Sequence, residues 1–145
     1  MSAVHNHKVP CAGVKAFVVG SQGRLLILRH AVHERTGQPQ WGLPGGHVDW
    51  DEDPEDALER EFKEELGVAI AIKSPILAWN KSISQEHQVI YIGYLGVLKN
   101  PNDPFRLKAD DDQYHWMSPH ELDQYFPYSD LEYRPAIERY YDLKS

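Results

Sequence analysis

The chain of 145 residues contains a single cysteine, Cys11, which excludes an internal disulfide and fits a reducing compartment. No activating group stands beside it in the sequence, so it reads as a plain small residue, buried or at an edge. No apolar run approaches the roughly 20 residues that cross a bilayer. The first ten residues, MSAVHNHKVP, lack the apolar segment of a signal peptide. These absences give the expectation of a cytoplasmic protein without membrane partners. No basic stripe exists to support an extended nucleic-acid surface, and there are no repeats or low-complexity tracts. With 41% hydrophobic and 26% charged residues, the composition is that of a soluble globular chain. Its length suits one domain over residues 1–145. Residues 1–12 read as a loose N-terminal segment, in which His5 and His7 are better explained by a frayed end than by a metal pair.

Net charge is near zero over most of the chain and concentrated in one place. Gly45 to Val68 holds ten acidic residues against two basic ones, a balance of −8 within a net charge of −7. The remainder is therefore close to neutral. An acidic focus of this kind repels polyphosphates unless divalent cations lie between them.

Local physics makes the middle of that stretch a helix. Asp53 can cap it, Pro54 suits the first helical position, and Gly67 suits a left-handed stop. Ala57, Leu58, Phe62 and Leu66 supply an apolar stripe to bury. Asp53, Glu55 and Asp56 at the front need no function, because capping and the helix dipole account for them. Glu61, Glu64 and Glu65 are different. They stand at i, i+3 and i+4, crowd one face of one turn, and lie in the half of the helix where the dipole disfavours anions. Hard oxygen ligands on one rigid face suit Mg²⁺ or Mn²⁺, which would turn repulsion into attraction. A solvated acidic helix face is the alternative.

The string Gly46-x5-Glu52-x7-Arg60-Glu61-Phe62-x-Glu64-Glu65-x-Gly67-Val68 resembles the Nudix box of the Nudix hydrolases. Those enzymes cleave a diphosphate linkage in compounds built from a nucleoside diphosphate joined to another group. Only Phe62 departs, being aromatic where the pattern takes an aliphatic residue. The resemblance implies an α/β fold, a Nudix-type α/β/α sandwich with a mixed β-sheet between helices. It implies Mg²⁺ (or Mn²⁺) as cofactor, a small nucleotide or nucleotide derivative as substrate, and a homodimer as an open option.

It also implies roles. Glu61, Glu64 and Glu65 are expected as metal ligands, with Glu61 or Glu64 open as the base. Arg60 is expected to orient Glu52 or a ligand glutamate through a bidentate ion pair, with an i, i+4 pair to Glu64 as the plainer reading. A further acidic ligand is expected from a later loop before a Trp-containing strand. Asp110, Asp111 and Asp112 precede Trp116, and Asp110 aligns best by distance. Gly45 and Gly46 shape the loop that positions the helix. His47 is either a substrate contact or a hydrogen-bonded turn residue.

Around the box, strands are expected at Val14–Val19 and Leu25–Leu28, joined by a turn at 20–23 into a first hairpin. A short strand leads from Trp41 into the Gly45–Gly46 turn. Later strands are expected at Val68–Ile72, at Ile76–Ile83 after an interruption by Pro75, at Gln88–Leu98 with Tyr91 and Tyr94 on opposite faces, and at Tyr114–Met117. Ser118 opens a helix as a capping box would, and Arg134–Leu143 forms another. Arg29, Lys15, Arg35 and Lys81 are candidate phosphate contacts. Trp41, Trp50, Trp79, Tyr91 and Phe105 are candidates to stack on a base, with core packing as the alternative.

The substrate is less legible. No SQPWPFP-like string marks an NADH pyrophosphatase, Ser82 and Ile83 stand where a proline would suggest ADP-ribose, and no tyrosine marks a dinucleoside-polyphosphate hydrolase. The GGHVD turn resembles members acting on nucleoside triphosphates or nucleotide-sugars. A non-catalytic Nudix-fold binding module is the rival reading. An isomerase of the isopentenyl diphosphate type is a weaker one, because Cys11 is badly placed for its catalysis.

Overall fold

The computed structural model describes residues 9–31, 37–109 and 112–145. Among the described residues, seven strands form two sheets. In the first, β4 (Gly45–His47), β1 (Cys11–Val18), β6 (Gln88–Leu98) and β5 (Ile70–Ser82) lie side by side in that order. This sheet is mixed: β1 runs parallel to β6 and antiparallel to β4, and β5 is antiparallel to β6. The second sheet has the order β3 (Gln40–Gly42), β2 (Leu25–His30), β7 (Gln113–Met117), all antiparallel.

Period-2 alternation in β1 and β2 divides the core in two. Val14, Ala16, Val18, Leu26 and Leu28 face α1 (Pro54–Leu66) and pack with its Ala57, Leu58, Phe62 and Leu66. Phe17, Leu25 and Ile27 face the other way and pack with Ala136, Ile137 and Tyr140 of α3 (Arg134–Lys144). Tyr91 and Tyr94 of β6 divide in the same manner, Tyr94 toward α1 and Tyr91 against Trp79 and Tyr133. The result is the expected α/β/α arrangement, with strands covered on both sides. No helix among the described residues is long and apolar enough to cross a membrane.

The expected first hairpin is not one. Apart from a bridge between Val19 and Leu25, β1 and β2 join different sheets, because each finds longer pairing with strands distant in sequence. Ile70–Ser82 is one strand rather than two. Pro75 sits within it opposite Tyr94, between register shifts at Ile72/Ser74 and Pro75/Leu77. A proline is tolerated there because β5 is the sheet edge and bulges remove the need for its missing N–H. Cys11 and Ala12, expected in a loose segment, begin β1, and Cys11 is exposed. The capping box at Ser118 and Glu121 is present, but it opens a single 3-10 turn ahead of the short α2 (Leu122–Tyr125).

Candidate active site

Helix α1 begins and ends where its residues dictate. The Asp53 side chain accepts from the Glu55 N–H at 3.0 Å, Pro54 is the first helical residue, and Gly67 turns left-handed with φ 68°. Its buried face is Ala57, Leu58, Phe62, Glu65 and Leu66. Glu65 is thus a carboxylate placed within an apolar stripe, 6% exposed, and burying an anion demands compensating partners.

Those partners come from the glycine turn and from β2. Gly45, at φ 141°, donates its N–H to Glu65 Oε1 at 3.3 Å. A side chain at Gly45 would drive a Cβ to 2.0 Å from the Val14 carbonyl oxygen, so only glycine brings β4 this close to β1. Glu65 Oε2 lies 3.0 Å from His30 Nε2, in ion-pair range. The approach lacks hydrogen-bond geometry, and that buried oxygen has no other partner among the described residues. On its other side His30 Nδ1 lies 3.4 Å from Asp112 Oδ2, and Asp112 Oδ1 accepts from the Ala31 N–H at 3.0 Å. The proximity of Glu65, and then of Asp112, raises the His30 pKa above its usual value against the opposing effect of burial.

Arg60 ties the rest together. Its Nε and Nη2 form a fork on Glu52, at 2.9 and 3.0 Å. Nη1 donates to Glu61 Oε1 at 2.9 Å and reaches Glu64 Oε2 at 3.5 Å. Nη2 also donates to the His47 carbonyl oxygen at 3.0 Å, and Asp49 lies 3.6 Å away. Glu52 Oε1 accepts in addition from the Asp49 N–H at 2.9 Å, across a tight loop in which Asp51 takes a left-handed φ of 62°. The Arg60 fork, with the Asp49 N–H behind it, holds the Glu52 carboxyl down at about 2. Glu61 behaves oppositely: burial first, and the nearby Glu65 charge second, push its pKa up despite Arg60.

The candidates therefore divide. Glu52, Arg60, Glu61, Glu65, Gly45 and Gly46 converge, and Glu64, half-exposed, stands at their rim. His47 contributes through its carbonyl oxygen. Arg29 is half-buried on β2 opposite Trp41 of β3. Lys15 is buried, within 3.4 Å of the Gly45 carbonyl oxygen and near the faces of Tyr91 and Tyr133. Lys81 belongs to β5, and Arg35 lies outside the described residues. Asp110 and Asp111 lie outside them too, whereas Asp112 is buried at 8% exposure and faces the site. Its place follows from register: Arg29 pairs with Gln113, which sets Asp112 opposite His30. Of the aromatic candidates, Trp79 and Tyr91 pack on each other, Phe105 packs on Tyr114 and Trp116, and Trp50 is 99% exposed in the loop before α1.

Whether the residues suit a divalent cation can be judged from the donors themselves. Among the described residues no group of three carboxylate, imidazole or thiol side chains is gathered in ligand geometry, since Glu61 turns to Arg60 and Glu65 to Gly45 and His30. The chemistry nevertheless fits. The buried Glu65 disfavours charge on the half-buried Glu61 beside it, one buried oxygen of Glu65 lacks a hydrogen bond among the described residues, and the carboxylate donors are hard oxygens suited to Mg²⁺ or Mn²⁺.

His30 and Asp49 are the site residues that sequence reasoning passes over. A signal for His30 existed in the alternation of β2, because it shares the α1-facing side with Leu26 and Leu28.

Comparison with known proteins agrees with this geometry. The NUDIX domain model matches residues 9–140. The chain belongs to the Nudix family. It is 28% identical over 119 residues to a nucleoside triphosphatase NudI of Escherichia fergusonii, covering 74% of this chain and 82% of that one. To an RNA pyrophosphohydrolase of Gluconacetobacter diazotrophicus it is 41% identical over 63 residues, 41% of this chain. The chain spans 38% of the length of that relative, well under two thirds. Among solved structures, a MutT protein of Methanosarcina mazei Go1 superposes with a TM-score of 0.76 at 25% identity, over 94% of this chain and 96% of that one.

Proposed function

We propose that this protein is a metal-dependent hydrolase that cleaves a diphosphate linkage in a nucleoside diphosphate derivative, of nucleoside triphosphate or nucleotide-sugar type. The observation that carries the reading is the Arg60 hub. One guanidinium holds Glu52 in a two-point fork and Glu61 at 2.9 Å, and Glu61 in turn rests against the glycine turn that anchors Glu65. So much fixed carboxylate charge at a close backbone approach has no structural return, which makes it a candidate for chemistry.

In this reading Glu61, Glu64 and Glu65 hold Mg²⁺ or Mn²⁺, with Asp110 as a further ligand from the loop before β7. When bound, such a cation polarises phosphate oxygens and lowers the pKa of water. The chain's own groups do the rest. The Gly45 N–H fixes one oxygen of Glu65, while the other lies against His30. Arg60 positions Glu61 and Glu52, and neutralises part of their charge. Either Glu61 or Glu64 would be the carboxylate that accepts a proton from an attacking water. Gly46 and the His47 carbonyl oxygen keep the turn close to α1, and Arg29 is the proposed phosphate contact from β2. Residues 1–145 act as one catalytic domain in a cytoplasmic setting. Names of relatives support the class: a nucleoside triphosphatase and a pyrophosphohydrolase are both among them.

The test is release of phosphate or pyrophosphate from nucleoside triphosphates, nucleotide-sugars, ADP-ribose and dinucleoside polyphosphates, with Mg²⁺ and then Mn²⁺. The Glu64→Gln, Glu65→Gln double variant is run beside the wild type. Turnover that a chelator abolishes and the double variant lacks supports the reading. Absence of turnover on every compound and metal, or turnover retained in the double variant, overturns it.

A further inference from the structure

His30, the last residue of β2, has a carboxylate at each ring nitrogen. Nδ1 faces Asp112 Oδ2 at 3.4 Å, and Nε2 lies 3.0 Å from Glu65 Oε2. The two contacts differ in kind. Asp112 is buried and fixed from behind, its other oxygen accepting from the Ala31 N–H at 3.0 Å, so the ring is oriented from its Nδ1 side. The Nε2 contact is short but lacks hydrogen-bond geometry. Glu65 Oε1 is already taken by the Gly45 N–H. Glu65 Oε2 is the one carboxylate oxygen among the described residues that is fully buried and without a hydrogen bond. An anion buried in that condition is costly and calls for a physical reason. His115 and Glu121, the other imidazole–carboxylate pair, pose no such question. Glu121 there also accepts from the Ser118 N–H inside a capping box.

A shared cation supplies the reason at His30. Two donor atoms about 2.1 Å from one metal ion, and at right angles around it, lie about 3.0 Å apart. His30 Nε2 and Glu65 Oε2 show that separation. A metal-bound imidazole commonly donates its other N–H to a carboxylate, which fixes the ring's orientation. Asp112 stands in that place. Two protein donors are only part of a shell, but the His30 side chain is 40% exposed. Water and substrate phosphate can complete the coordination from that open side.

We propose that His30 Nε2 is a metal ligand beside Glu65, and that it shifts the site's preference toward first-row transition cations over Mg²⁺. The proposal rests on the hydrolase reading for Glu65 as a ligand and adds a nitrogen donor to it. Imidazole suits the later first-row divalent ions, whereas carboxylate, carbonyl and water oxygens suit Mg²⁺. A site of carboxylates alone would lack this bias.

The test is titration calorimetry of the whole protein with Mg²⁺ and Co²⁺, beside pulsed EPR of the Mn²⁺-loaded protein, with no turnover required. His30→Ala should weaken Co²⁺ binding by about ten-fold or more, and change Mg²⁺ binding by less than about three-fold. A histidine that merely pairs with Glu65 would move both cations together and leave their ratio unchanged. The wild-type EPR should show coupling to an imidazole nitrogen, altered by isotope labelling of histidine and missing from His30→Ala. Should His30→Ala fail to fold, as a thermal melt would show, His30→Gln and the labelled wild type decide the matter. Glutamine keeps a polar side chain there without the imidazole. Absence of the nitrogen coupling overturns the proposal, as does a coupling that survives the loss of His30. So does an unchanged Co²⁺-to-Mg²⁺ ratio, or no binding of Co²⁺ and Mn²⁺ at all. Hydrolysis without the nitrogen coupling would sink only the His30 ligand. The coupling without hydrolysis of any compound would sink only the hydrolase reading.

Discussion

The carboxylate of Glu61 rests directly on the backbone of Gly46. A Cβ built at Gly46 would fall 2.4 Å from Glu61 Cδ and 2.6 Å from its Oε1. The glycine is needed there for space, since its φ is not among the positive ones, and any side chain displaces the carboxylate. Gly46→Ala is therefore expected to lower turnover by about 100-fold, the usual cost of a misplacement near 1 Å. Steady-state kinetics beside a thermal melt decides it. An alanine variant with wild-type kcat would mean that Glu61 needs no such placement.

Arg60 is expected to resist conservative replacement. Lysine keeps the charge but cannot fork onto Glu52 while also reaching Glu61 and the His47 carbonyl oxygen. Arg60→Lys should cost about 10- to 100-fold in kcat/KM, chiefly in kcat, and should make activity more sensitive to metal concentration. A metal titration of both proteins would show this as a rightward shift. Identical curves would reduce Arg60 to a surface ion pair.

Phe62, the one departure from the usual box pattern, is fully buried between α1 and the strands. Phe62→Ala should destabilise by about 3–5 kcal/mol through loss of transfer free energy and an unfilled cavity. Phe62→Leu, closer to the pattern, should cost less than about 1.5 kcal/mol. Denaturant unfolding of the two variants gives the comparison. Equal losses would imply that the aromatic shape is itself required.

Acid should unfold the protein partly through Glu121. The Ser118 N–H, and then His115, hold the Glu121 carboxyl below its usual value, while in the unfolded chain it returns to about 4.3. Between those values the unfolded state binds more protons, so stability rises with pH there. The contribution is complete above the unfolded pKa and is lost as pH falls through the folded one. Glu121→Gln should thus melt at a lower temperature than wild type at pH 7, with the gap closing as pH falls below the unfolded value and through the folded one. A gap independent of pH would assign Glu121 a role without charge.

Much of the site was legible because its signals are local. Asp53, Pro54 and Gly67 bound α1 through capping, fixed φ and left-handed backbone. All of these act within one turn, and the observed helix is Pro54–Leu66. The crowding of Glu61, Glu64 and Glu65 follows from helical spacing alone, as does the burial of Phe62 and Leu66. The opposed faces of Tyr91 and Tyr94 follow from the strand period. The chain's sequence, read by itself, thus determined the kind of its strongly patterned elements, α1 above all, and which face of that helix carries charge.

Tertiary structure decided which of these surfaces meet. That β1 pairs with β6 and β2 with β7, across the intervening helix, depends on the summed pairing of distant strands. Pro75 ends a strand in local terms, yet an edge position with flanking bulges lets β5 run through it. The choice of Asp112 as the acid beside the site rests on strand register, which sets it against His30 across 82 residues of sequence. His30 itself acquires meaning only when α1 buries Glu65 beside it. Electrostatic pairing at such separations is set by the packing of whole elements, and no local preference of a histidine or an aspartate encodes it.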